Sequence, residues 1–393
     1  MPEFLTKSAL SRKISARLIT PFNIMSTFFF RRSVEKAFQL DESPSGLSLN
    51  PSKPLDGTPP YIISAVDDVM YIVNTVLQRS ISTSQRDIIS SVIPTVGRVL
   101  GSDFIGMIQR KMRDESYPKP AISGGFPPED KIIAFIVLIN SLDIANDYIG
   151  RIVTTRLSGS AQTNGTSHDH PSTANALTEL FPFDRDAAFV TSTLTTLNTS
   201  FASKASELIT DGLHVLFNQV IKPRLRPVLS DTFRDTDYSL SEEGLSEIAR
   251  ANETDMGENE FMDAVSLRFE HSWDALMKPI GRLMTERTFA SLLEQTAKYL
   301  ARVLEKRVWS FSGRTNGLGA VRMERDFAGI VGVICRGGKY GIREIFARVL
   351  QVLMVINMEE DEWDEVKGGE EEEGMNWVIS EEERVRARGI IKS

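Results

Sequence analysis

The sequence predicts an all-α fold, a chain of helical bundles, and three observations carry that expectation. Apolar residues recur at three- and four-residue spacing almost everywhere between the loops. No stretch shows sustained alternation closed by hairpin turns, so almost no sheet is expected. The apolar stripes are wider than a coiled-coil seam and lack heptad continuity, which leaves bundles rather than long paired helices.

In chain order, the first 32 residues carry six basic side chains (Lys7, Arg12, Lys13, Arg17, Arg31, Arg32) against one acid, Glu3. That is the composition of a mitochondrial transit peptide. The Pro-, Gly- and Ser-rich stretch from Asp41 to Pro60 reads as a loop. Val66, Val69, Met70, Val73, Val76 and Leu77 make the first clear helical stripe. Ser116 to Asp130 separates it from "IIAFIVLI" (Ile132 to Ile139), which Asn140, Asp143 and Asp147 close. That run is shorter than the ~20 apolar residues of a bilayer span and reads as a buried helix.

Ser158 to Asn175 is almost wholly polar. A long stripe follows from Met262 to Met284, with Phe269, Trp273, Met277 and Ile280 among its members; after a break it resumes from Phe289 to Leu304. Ile342, Ile345, Phe346, Val349, Leu350, Leu353 and Met354 define a nearly enclosed helix whose polar face shrinks to Glu344, Arg348 and Gln351. Glu359 to Gly374 reads as an acidic, glycine-broken connection. "SLSE" (Ser239 to Glu242) and "SEEE" (Ser380 to Glu383) both fit a capping box, in which serine takes the N3 amide and glutamate reaches back. The expected divisions are a basic segment 1–26, a helical segment 27–157, a polar linker 158–182, a bundle 183–310 and a small C-terminal helical domain 311–393.

The formal net charge is −8, with +5 in the first 32 residues and −13 in the rest. An acidic body argues against general nucleic-acid binding, which needs a basic face to displace counterions. Cys335 is the only cysteine, so no intrachain disulfide forms, and its apolar surroundings mark it as a small core residue. His168 and His170 form an HxH pair, but no third ligand is spaced to complete a metal site. "GLGAVR" (Gly317 to Arg322) has Arg322 where a dinucleotide fingerprint needs its third glycine, and no strand precedes it. "GVICRGGKY" (Gly332 to Tyr340) lacks the first glycine and the Ser/Thr of a phosphate loop. Both read as turns between short helices. No catalytic residue, cofactor site or metal site is expected. Two residues have a physical argument for a structural role. Arg343, at the edge of the apolar helix, should want a carboxylate, and Glu383 opens the last helix after the acidic connection.

Several blocks together resemble a known family, subunit four of the conserved oligomeric Golgi complex. They are "TFFFRRSVEKAFQLDE" (Thr27 to Glu42), "SAVDDVMYIVNTVLQRSI" (Ser64 to Ile81), "KIIAFIVLINSLDIANDYI" (Lys131 to Ile149), "SWDALMKPIGRLMTERTFASLLEQTAKYLARVLEKRVW" (Ser272 to Trp309), "GIREIFARVLQVLMVINME" (Gly341 to Glu359) and "NWVISEEERVRARGI" (Asn376 to Ile390). The resemblance covers nearly everything after residue 26, in order, and corresponds to the C-terminal half of such a subunit. Residues 1–24 fall outside it.

The resemblance implies a helical rod ending in a small bundle, and a non-catalytic role in vesicle tethering. It implies peripheral residence on the cytosolic face of Golgi membranes, held there through partners. It also implies intra-Golgi retrograde transport, with the other complex subunits, SNARE proteins and their regulators as partners. It further implies that the last bundle packs on the one before, and Arg343 with Glu383 is the expected pair fixing that docking. Two alternatives stand beside it: a scaffold of another tethering complex, of exocyst or Dsl1 type, and a mitochondrially targeted helical protein.

Overall fold

The computed structural model describes residues 8–120, 125–158, 176–240, 264–336, 340–367 and 376–391. Among them the secondary structure is helical, with a single isolated bridge between Thr315 and Ile391. The chain packs into two compact units: Met1–Val215 with Leu283–Thr288, and Leu216–Arg282 with Phe289–Ser393. Most of the expected linker and the His168/His170 pair lie outside the described residues, as do Ser241 and Glu242 of the first capping box.

The first unit opens with α1 (Ala9–Ile14), continued through a widened turn at Ser15–Ile19 into α2 (Thr20–Gln39). The extra residue of that turn sends the Thr20 N–H to the Ser15 carbonyl, five residues back. Ala9 to Ile19 buries nothing, whereas Phe30, Val34, Ala37 and Phe38 put the end of α2 into the core. α3 (Ser64–Ser82) and α4 (Arg86–Val99) pack on α2. The sequence stripe of α3 is buried as expected, from Val66 to Leu77. A second widened turn, Leu100–Phe104, leads into α5 (Ile105–Arg110). Phe104 packs between Phe38 and Phe201, at ring separations of 5.7 and 6.2 Å.

α6 (Glu129–Ser158) passes through the core of this unit and buries Ile132, Phe135, Ile136, Ile139 and Leu142. Among the described residues two helical stretches, Arg86–Glu115 and Glu129–Ser158, are long and apolar enough to cross a membrane. Each has a high mean hydropathy although polar residues, such as Asn140 and Asp143 in the second, interrupt its apolar run. Much of their apolar surface is turned into the unit. α7 (Ala176–Leu180) and α8 (Asp184–Leu216) follow.

A polar clasp closes this unit. Asn140, fully buried, donates to the carbonyls of Tyr61 (3.1 Å) and Leu283 (2.7 Å) and accepts the Thr285 N–H (3.1 Å). Ser141 accepts the Ile63 N–H at 3.1 Å. Asp143 accepts the Thr285 hydroxyl at 2.7 Å, and Arg287 reaches Asp143 and Asp147 at 3.3 and 2.5 Å. The residues that seemed only to end an apolar run therefore anchor two other segments.

The second unit contains α9 (Lys222–Thr232), α10 (Ala264–Leu283, through Arg282), α11 (Glu286–Ser310, from Phe289), α12 (Gly317–Cys335), α13 (Ala347–Asn357), α14 (Glu360–Lys367) and α15 (Glu381–Arg388). The break expected between the two long stripes is the turn between α10 and α11. Phe269, Leu292, Leu300, Leu304, Phe327, Ile330, Phe346 and Val352 fill the core.

Two expectations are corrected. "GLGAVR" begins a 19-residue helix, α12, instead of forming a turn. Gly319 is needed there because a Cβ would lie 1.7 Å from the Tyr238 carbonyl oxygen. Part of the acidic connection is helix α14, held by Trp363, which is buried at 9% exposure. Its remainder, 368–374, lies outside the described residues. Cys335 is half-buried at the end of α12, and burial pushes its thiol pKa up.

Candidate interaction site

One arginine joins the last described helix of the second unit to two others. α13 is apolar on nearly every side, as its sequence stripe requires, and Arg348, Gln351 and the terminal Asn357 are its polar exceptions. Arg348 Nη2 donates to Glu383 Oε1 on α15 at 2.6 Å and to Glu305 Oε1 on α11 at 2.9 Å. Its Nε lies 3.3 Å from both Glu305 oxygens, and Nη1 reaches the Val378 carbonyl at 3.4 Å. Three helices thus share one guanidinium, whose planar fork suits two carboxylates at once.

Glu383 is placed by the capping box expected from "SEEE". Its Oε2 accepts the Ser380 N–H at 2.8 Å, and Ser380 Oγ accepts the Glu383 N–H at 3.3 Å. The bond from Arg348, with that from Ser380, holds the Glu383 carboxyl below its ordinary range. Bonds from Glu305 and Glu383 raise the Arg348 guanidinium above its own.

The structure does not bring Arg343 and Glu383 together. Arg343 is exposed in a tight three-residue-per-turn segment, Tyr340–Phe346, and Glu383 takes Arg348 instead. The physical reason is phase. A uniform 3.6-residue helix from Ile342 puts Arg343 at the edge of the apolar face, but the tighter turn breaks that register before α13 starts. The signal for the true partner was present, since Arg348 and Gln351 are polar at i and i+3 on an apolar helix.

Gln351 completes the docking. Its Nε2 donates to the Asn376 carbonyl at 2.8 Å, and its Oε1 accepts the N–H groups of Val378 (2.8 Å) and Ile379 (3.3 Å). Ile379, Ala387 and Ile390 are buried beneath. The guanidiniums of Arg384 and Arg386 lie over the Trp377 and Trp309 rings at 4.8 and 4.7 Å. Arg388 reaches the Met358 carbonyl and Glu360.

Elsewhere in this unit the Tyr238 hydroxyl donates to Asp326 Oδ2 at 2.9 Å, both groups being buried. Burial pushes the Asp326 carboxyl up to about 6, against the opposing bond from Tyr238 and the charge of Arg322 at 3.9 Å. Asn316 accepts the N–H groups of Gly319 (2.9 Å) and Leu240 (3.2 Å), fixing the Tyr238 segment on the start of α12. No group of three or more His, Cys, Asp or Glu is arranged to hold a metal among the described residues.

Helical bundles with clasped terminal segments, and no sheet among the described residues, define a class of all-α scaffold. The chain is similar in fold to the C-terminal domain of the exocyst subunit Sec6p, with a TM-score of 0.53 at 11% identity, covering 96% of this chain and 88% of that one. Its sequence is specific where the fold is general. Residues 135–386 match the family model "Conserved oligomeric Golgi complex subunit 4, C-terminal", and residues 1–112 match "COG4 transport protein, middle alpha-helical bundle". The chain belongs to the conserved oligomeric Golgi complex subunit 4 family.

The protein of that name from Arabidopsis thaliana is 26% identical over 373 residues, covering 93% of this chain and 44% of the relative. The Saccharomyces cerevisiae protein is 22% identical over 277 residues (67% and 30%), and the human one 22% identical over 371 (87% and 41%). The chain therefore spans less than half the length of these relatives. The family match also starts at residue 1, so the basic first segment, expected to fall outside the resemblance, lies inside it.

Proposed function

We propose that this chain serves as a non-catalytic subunit of a Golgi vesicle-tethering complex, working through protein–protein contacts. The observation that supports this reading is the pair of consecutive family matches, which together take in both packed units in order. On this reading the chain sits peripherally on the cytosolic face of Golgi membranes, recruited through the other subunits. It acts in intra-Golgi retrograde transport and helps SNARE-dependent fusion.

The Arg348 cluster then has a defined role. It keeps α15 and its preceding segment docked, so that the C-terminal surface is presented in one conformation. The test is affinity purification of the tagged chain from cells, followed by a retrograde cargo assay after its depletion. The expected result is recovery of the other Golgi-complex subunits and delayed retrograde delivery. Recovery of exocyst subunits, or import into mitochondria with loss of the basic first segment, would reject the reading.

A further inference from the structure

In the first unit, α3 and α6 pack side by side and leave a groove of 350 Å³ on their outer face. Met70 and Ile152 are the apolar part of its lining, and Tyr71, 73% exposed, stands at the rim. Asp67 accepts the Tyr148 hydroxyl at 3.2 Å toward one end, and the Arg151 guanidinium lies 5.6 Å from the Tyr148 ring centre. Toward the other end is Arg156. Its Nη2 donates to two neutral amide oxygens, Asn74 at 2.6 Å and Gln78 at 3.4 Å.

Arg156 is the anomaly. No carboxylate pairs with it among the described residues, and its Nε is buried without an acceptor. Burial alone pushes its pKa below the ordinary value, with no charge partner offsetting the loss. A partly desolvated cation with neutral partners lowers stability, because the cost of leaving water is not repaid by an opposite charge. Tyr and Arg clustered in a groove are also the residue types that concentrate binding energy at protein interfaces.

We propose that the α3–α6 groove recognises a single acidic side chain of a partner protein, whose carboxylate takes the donors of Arg156. A carboxylate matches the planar fork of a guanidinium. Asp67 is seven residues before Asn74, about 10 Å along α3, and gives the groove an acidic end. That end disfavours a polyanion such as nucleic acid and favours a segment carrying a cation and an acid two helical turns apart. This inference concerns a partner contact of its own and does not depend on the Golgi reading.

The probe is an alanine-based helical peptide bearing lysine and glutamate two turns apart, titrated by fluorescence anisotropy into the full chain at low salt. The same peptide with glutamine for glutamate is the control. Arg156→Gln should weaken binding of the glutamate peptide about tenfold or more, while Arg98→Gln, an exposed arginine of α4, leaves it unchanged. Arg156→Met should leave Tm unchanged or raised. Failure of the wild-type chain to bind, equal binding of the two peptides, or indifference to Arg156 would each overturn the proposal. So would a lowered Tm in Arg156→Met, which would make the guanidinium a structural element. Displacement by inorganic phosphate but not acetate would reassign the anion and overturn the carboxylate assignment.

Discussion

The two units hold their distant segments by opposite means. In the first, Asn140 is fully buried and neutral, and its side-chain amide ties the backbone groups of Tyr61, Leu283 and Thr285. In the second, Arg348 is 38% exposed and charged, and it ties Glu305 and Glu383. A buried amide that satisfies three backbone groups is costly to remove, since each loses water and partner together. A half-exposed ion pair competes with water and salt at every moment and contributes little by itself. The first clasp is a fixed part of the core, whereas the second is a latch that solution conditions can loosen.

The comparison breaks if the buried clasp proves cheap. Asn140→Leu strands the Tyr61 and Leu283 carbonyls and the Thr285 N–H, and it should cost about 4 kcal/mol in urea denaturation, with no dependence on salt. Asp326 tests what happens when a charge is placed in a buried site. Its folded pKa of about 6 lies above the ordinary carboxylate value, so it contributes less stability as pH rises between the two. Asp326→Asn keeps an acceptor for Tyr238 and removes that dependence. It should be more stable than wild type by about 1–3 kcal/mol at neutral pH and similar to it near pH 4, as read from paired melting curves.

The latch should show the smallest stability change and the largest sensitivity to conditions. Arg348→Glu places three acids together and should undock α15 at a cost of about 1 kcal/mol after solvent screening. Limited proteolysis would show it as faster cleavage near Asn376. Glu383→Arg added to it should recover part of the protection. Arg343→Glu, in the exposed turn, should change nothing. The sign for Glu383 is opposite to that for Asp326. Its folded pKa is depressed, so its contribution is present above the ordinary carboxylate value and lost as pH falls through the folded one. Proteolysis should therefore accelerate in acid, and earlier at high salt.

Much of the fold was legible in the sequence because helical burial leaves a periodic trace. The stripe of α3 and the described part of that of α10 are buried where the spacing put them, and Ser380 caps as its box required. Those of α11 and of Ile342–Met354 are buried in part, with Phe289, Val303, Ile345, Leu350 and Met354 half-buried. What escaped is of two kinds. Asn140 and Asp143 look like polar residues ending an apolar run, and only the segment 143 residues away that meets Asn140 shows they are anchors. Arg348 finds its carboxylates 43 and 35 residues away, and the tight turn at Tyr340–Phe346 shifts the helical register that puts Arg343 at the edge of the apolar face. Periodicity reports which face is buried, but it carries no information about which distant group a polar exception will meet.

The tryptophans around α15 have a spectroscopic consequence. All four tryptophans, Trp273, Trp309, Trp363 and Trp377, belong to the second unit, and the first has none. Excitation at the red edge of indole absorption therefore reports on one unit alone. Arg384 and Arg386 lie over Trp377 and Trp309, so release of α15 should change emission from both rings while far-ultraviolet dichroism stays dominated by helices throughout the chain. The molecule carries its own pair of reporters at the latch, and a loosened C-terminal helix can be followed in solution without a label.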